Sequence, residues 1–388
     1  MAVCLVVGAL VGCGGSSASS APSAPSGSIS GPGFSATGSM TTARMGHTAT
    51  LLSNGRVLIA GGYSGEGPDH LVYLASAELY DTATGTFSAT GSMKTARAGA
   101  TATLLPNGAV LIAGGYFVDA AGATVALASA ELYDPTAATF TTAGSMSSAR
   151  YNHTATLLTD GRVMLAGGTG SSASLSSVEL YELSTSVFSS GGSMTTPRTG
   201  HTATSLATGW ILLAGGARTD QPGSPVYLAS TELYDPATGT STAGGSMAAR
   251  RYTHTATLLP NGQVLLAGGL AIVGGSKVSL ASAESYDPGT ATFTPAGSMT
   301  AARSGHVAVI LANGLVLVAG GLGLSGSGAV SNPTAAELFD PAGGAFSVVG
   351  STTGRSGATG TLLADGLVLI AGGGNTSGIL ASAELYRP

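Results

Sequence analysis

The chain has 388 residues, of which only 9% are charged, with 14 Lys and Arg against 19 Asp and Glu and a formal net charge of −5. An average globular protein is about 25% charged, and no basic cluster here could follow a phosphate backbone, which excludes nucleic acid as a partner. Length alone would suggest two or three domains, but seven near-copies of one stretch replace that expectation with a single stacked repeat.

In chain order, residues 1–12 form an apolar run too short to span a bilayer and read as a signal peptide. Cys4 and Cys13 are the only cysteines. Leu10-Val11-Gly12-Cys13 resembles the lipobox of bacterial lipoproteins. The resemblance implies cleavage before Cys13 and lipidation of that residue, the chain's only attachment to a membrane. It also implies an address at the bacterial outer membrane or cell surface, because Gly14 stands where an Asp would retain some lipoproteins at the inner membrane. Residues 13–33 then turn to Gly, Ser, Ala and Pro, the composition of a flexible tether. Residues 34–388 carry the repeat.

Each repeat predicts four short strands. The first follows an Arg and contains His-Thr-Ala-Thr-Leu-Leu, as at 47–52. Asn54-Gly55 then predicts a hairpin turn with positive φ at both residues. The second strand, around 56–60, is almost wholly apolar, as expected of a strand covered on both faces, and closes on a glycine pair such as Gly61-Gly62. These glycines predict positive φ and close approach of backbone. A segment of variable length follows, then a third strand, Ala75 to Tyr80, a turn begun by Asp81, and a fourth strand with Phe87.

Four strands in roughly fifty residues predict an all-β, seven-bladed β-propeller. The unit resembles the kelch motif: Arg, Gly-His, paired glycines, Glu-x-Tyr-Asp-Pro and an outer-strand aromatic. Phe87, Phe140, Phe188, Phe293 and Phe346 stand where kelch units usually carry Trp, and one repeat has only Ser241. The last repeat ends at Pro388 without a fourth strand, while a spare one, 33–40, precedes the first. Docking it as the outer strand of the last blade closes the ring and leaves no exposed pairing edge.

Three sets of residues bear on chemistry. His47, His153, His201, His254 and His306 share one repeat position, with Ala100 and Ala358 in the other two repeats. A ring of imidazoles suggests a metal, but blade-to-blade spacing favours a local structural bond at each, and no metal or cofactor is expected. Arg44, Arg97, Arg150, Arg198, Arg251, Arg303 and Arg355 match Glu78, Glu131, Glu179, Glu232, Glu284, Glu337 and Glu384 one for one, which predicts an ion pair in every blade. A carboxylate repeated identically lacks the contrast of environments that acid–base catalysis needs. Seven-bladed kelch propellers include galactose-oxidase-like copper enzymes, whose resemblance implies a Tyr cross-linked to a Cys. With Cys13 at the lipidated end, that cross-link has no partner. No catalytic residue is assigned, and the expectation is a chain that is not an enzyme.

The connections between second and third strands escape the repeat and carry the candidate ligand-binding residues Tyr63, His70, Tyr73, Tyr116, Phe117, Asp119, Arg218, Asp220, Tyr227 and Lys277. The expected function is therefore that of a non-enzymatic, lipid-anchored, monomeric protein that engages a surface protein or glycan through this face. The alternative is a carbohydrate-active enzyme, a lyase, mutarotase or oxidase, on the same propeller.

Overall fold

The computed structural model describes residues 32–65, 70–219 and 225–388; the signal, lipidation and tether assignments on 1–31 lie outside them, as does Asp220. The described chain is all-β, with seven four-stranded antiparallel sheets arranged as the blades of a propeller. Blade one comprises Thr48–Leu51, Val57–Ala60, Ala77–Asp81 and Thr86–Ala89, from innermost to outermost strand. Each innermost strand lies beside that of the next blade, and the last lies beside the first, so the ring is complete.

The closure is the one the sequence predicts. Gly33–Ala36 is the outer strand of blade seven and pairs antiparallel with Ala383–Arg387. Phe34 faces Tyr386 and Ala36 faces Glu384, the register in which Phe87 faces Tyr80 and Ala89 faces Glu78 in blade one. The ring of Phe34 lies 4.9 Å from that of Tyr386, close to the 4.8 Å between Tyr80 and Phe87.

Burial explains the composition. The second strand of every blade is buried throughout, because its two faces pack against two neighbouring blades. The core is accordingly divided into layers between blades. One layer joins Leu58, Ala60 and Leu79 to Val110, Ile112 and Tyr133, and the layer at the seam joins Val57, Ile59 and Tyr80 to Leu369, Ala371 and Ala383.

The glycine pairs meet both expectations. Gly114 and Gly115 have φ of 64° and 97°, and a Cβ on Gly115 would lie 2.8 Å from the carbonyl oxygen of Ala98. The Asn-Gly turn differs from its prediction, since Gly55 alone has positive φ, at 82°. Gly55 N–H donates to the Leu52 carbonyl and Asn54 Oδ1 accepts from Arg56 N–H, so the loop is a tight turn closed by one left-handed glycine.

A feature not foreseen is a small hairpin on the connection between second and third strands. Tyr63–Ser64 pairs with Val72–Tyr73, Tyr116–Val118 with Thr124–Ala126, and Leu270–Val273 with Ser276–Ser279. The base of each hairpin bridges to the residue after the repeated Arg, as Tyr63 does to Met45. Hairpins and channel mouth therefore share one face of the ring.

Candidate functional site

The repeated charges hold the ring from within. Arg44 Nη2 donates to Glu78 Oε1 at 2.7 Å, while Nη1 donates to the carbonyls of Gly61 and Ser76, each at 3.0 Å. Glu78 also accepts the N–H groups of Thr41 and Thr42, so one carboxylate fixes the connection entering the blade. In blades two to six the third strand carries a β-bulge just before the Glu. The contact recurs at 2.7–2.9 Å through Arg303–Glu337 and loosens to 3.5 Å at Arg355–Glu384. Burial lowers each of these guanidinium pKa values, and the neighbouring Glu opposes that shift.

The histidines are joints between blades. Each Nε2 lies 2.9–3.1 Å from a Thr hydroxyl on the innermost strand of the preceding blade, His47 with Thr359 and His153 with Thr101, for example. The two exceptions are instructive. Ala358 meets blade six, where Val307 replaces the Thr, so donor and acceptor are lost together; the Val307 side chain fills space that Gly360 leaves open, since a Cβ on Gly360 would collide with it. Where Ala100 leaves Thr48 without its imidazole, the Thr48 hydroxyl turns to the Ala60 carbonyl at 3.4 Å.

Desolvation, with the nearby Arg charge adding to it, depresses all five imidazoles from 6.5 to about 3. A folded pKa below the unfolded one favours the neutral fold. Its stabilisation is present above about pH 6.5 and is lost as pH falls through the window from 6.5 to about 3. Urea midpoints measured across that window should therefore decline. The double variant His201→Ala with Thr154→Val, which copies the Ala358–Val307 pair, should show a shallower decline; an unchanged slope would remove the histidines from the explanation.

The candidate ligand residues do not form the exposed set expected of them. Tyr227 is 2% exposed, and Tyr63 and Tyr116 are also buried. The physical reason is the hairpin, whose strands turn these rings onto the neighbouring blade. Tyr63, Tyr73, Tyr116 and Tyr151 form a chain of rings with centroids 6.0, 5.5 and 4.8 Å apart, and Tyr227 stacks on Tyr252 at 5.3 Å. Asp119 is occupied by its own hairpin, its carboxylate accepting the N–H groups of Ala121 and Ala123. His70 is exposed, and Phe117, Arg218 and Lys277 are half-buried on the hairpin face.

What the hairpins do expose is aliphatic. Val72 is 60% exposed, Ile272 44% and Val273 59%, with Val226 and Val330 also open to solvent.

No protein-family profile and no curated protein matches the chain. Among solved structures it is similar to a fungal alcohol oxidase of the AA5 family in complex with copper. The TM-score is 0.68 at 17% identity, covering 92% of this chain and 76% of the oxidase. It is also similar to YjhT, with a TM-score of 0.60 at 13% identity, covering 80% of this chain and 98% of YjhT. At these identities the likeness establishes the β-propeller fold. It also corrects the expectation that the chain is not an enzyme, because nearly the whole scaffold is one on which a copper oxidase is built. Structural roles for the repeated Glu and His do not exclude catalysis elsewhere on the ring. The residues present do not fit copper, however. Among the described residues no group of three or more His, Cys, Asp or Glu could hold a metal ion, and each of the five buried histidines gives its Nε2 to a neighbouring Thr.

Proposed function

We propose that the chain is a lipid-anchored propeller of the bacterial envelope, kelch-like in its repeat, that binds a surface protein or a glycan through its hairpin face. The observation that carries the reading is a division of labour. The repeated Arg, Glu, His and glycine pairs are consumed in holding the ring, while the hairpin face varies in length and sequence from blade to blade and exposes Val72, Ile272 and Val273. A rigid scaffold with one variable face is how loops come to carry recognition.

The position of the tether supports the same reading. Gly33 pairs with Arg387 at the end of blade seven where other blades place the turn between third and fourth strands. That end is opposite the hairpins, so a chain held by Cys13 would present its hairpin face away from the membrane. A catalytic version of the reading, a carbohydrate-active enzyme on the same face, is supported by the likeness to the AA5 oxidase.

The test is capture from envelope extracts and on a glycan array by residues 32–388, alongside the variant Val72→Asp, Ile272→Asp, Val330→Asp. The native chain should retain a protein or glycan that the variant loses at least tenfold, with both melting at the same temperature. Equal capture by the two would refute the hairpin face. Turnover of a captured glycan would favour the catalytic version.

A further inference from the structure

Around the channel mouth the seven positions before the His, or before the Ala that replaces it, form a ring linked by six backbone hydrogen bonds, open between Gly357 and Gly46. Gly99 N–H donates to Gly46 O, Asn152 to Gly99, Gly200 to Asn152, Thr253 to Gly200, Gly305 to Thr253 and Gly357 to Gly305, at 3.0–3.2 Å. The ring requires a left-handed backbone at every member, with φ between 51° and 66°. Five members are accordingly glycine. The other two are Asn152 at φ 51° and Thr253 at φ 53°.

A β-branched residue with such a φ is an outlier, and strain of this kind persists where the side chain is needed. Three further residues with positive φ, Ala138, Ser186 and Ala291, lie at turns between third and fourth strands and carry only small side chains. At the mouth, by contrast, both exceptions follow a tyrosine: Arg-Tyr-Asn-His at 150–153 and Arg-Tyr-Thr-His at 251–254. Asn152 is exposed and leans over the preceding blade, its Oδ1 2.9 Å from where a Cβ on Gly99 would lie. The ring of Tyr252 lies over Gly200 so closely that no Cβ would fit there. On the far side Gly305 faces open space. The mouth is thus uneven, bare at blade six, crowded by Met45 at blade seven, and carrying the two non-glycine members at blades three and five.

We infer that this arc, built from Asn152, Thr253, Tyr151 and Tyr252, is a binding subsite for an uncharged, hydroxyl-rich ligand, a neutral sugar residue. The Asn152 amide offers both donor and acceptor, and the Thr253 hydroxyl, which donates to the Tyr252 carbonyl at 2.7 Å, keeps its lone pairs as acceptors. Half-buried tyrosines combine an apolar ring with a polar tip. Neither the ring residues nor those preceding them carry a charge, and the repeated Arg side chains beside them are buried. The subsite rests on the reading that the hairpin face binds, and the test separates the two.

The full described chain, Asn152→Gly with Thr253→Gly, and Asn152→Asp alone would be titrated with neutral oligosaccharides identified on an array that also carries sialylated and sulfated glycans. Glycine suits the left-handed backbone, so the double variant should melt no lower than the native chain yet lose at least tenfold in affinity. Asn152→Asp keeps a side chain that tolerates this φ, replaces the amide donor and should lose a similar factor. Unchanged affinity in either variant would overturn the subsite, and the hairpin face would stand if Ile272→Asp still abolished binding. A native chain that binds no neutral glycan, or only charged ones, would overturn the ligand class.

Discussion

Glu179→Ala should unfold much of the protein under conditions where the native chain is folded. Arg150 is fully buried and would lose the carboxylate 2.7 Å from its Nη2, while the N–H groups of Ser147 and Ser148 would lose their acceptor. Removing one partner of a buried pair costs about 3–5 kcal/mol, a large fraction of the roughly 5–15 kcal/mol that holds a domain together. The same change at Glu384 should cost distinctly less. That pair is at 3.5 Å and its Glu side chain is 14% exposed, so the two charges are coupled more loosely and desolvated less. Urea denaturation of the two variants checks the order. Equal losses would mean that burial of the pair is not what makes it matter.

Loss of the closing strand should be as damaging. A chain beginning at Gly38 lacks Gly33–Ala36, which leaves Tyr386 without its aromatic partner and blade seven with an unpaired edge. It also removes the Thr37 hydroxyl, 2.8 Å from that of Tyr80, so the damage crosses the seam into blade one. Truncation of a core Phe alone costs about 3–5 kcal/mol, and Phe34→Ala should fall at the lower end because Phe34 is only partly buried. Melting of the shortened chain should begin well below that of the native chain and broaden. An unchanged, sharp transition would show that the ring does not depend on this strand.

The parts of this architecture legible in the sequence are those written seven times. One apolar second strand, one glycine pair and one spare strand ahead of the first repeat suffice to give the blade count and the seam. The pairing of Arg with Glu is visible for the same reason, since neither residue varies along the repeat. What was hidden is written once or twice. The inward turn of Tyr63, Tyr116 and Tyr227 depends on hairpins of two to four residues a side, too short to show a period. The change to Val307 makes sense only when it is seen to meet Gly360 across a blade boundary, beside Ala358. Asn152 and Thr253 look like ordinary substitutions until their φ values place them in the ring. The exclusion of catalysis failed for a different reason: a fold does not determine the chemistry grafted on it.

The division between a structural repeat and a binding face is tested most directly by hydrogen exchange of residues 32–388 with and without the protein or glycan that they capture. Slowed exchange is expected in the hairpins around Val72, Tyr116–Val118 and Leu270–Val273 and at the ring amides of Asn152 and Thr253. Protection confined to the opposite end, at Asn54-Gly55, Asp160-Gly161 and their equivalents, would contradict the account.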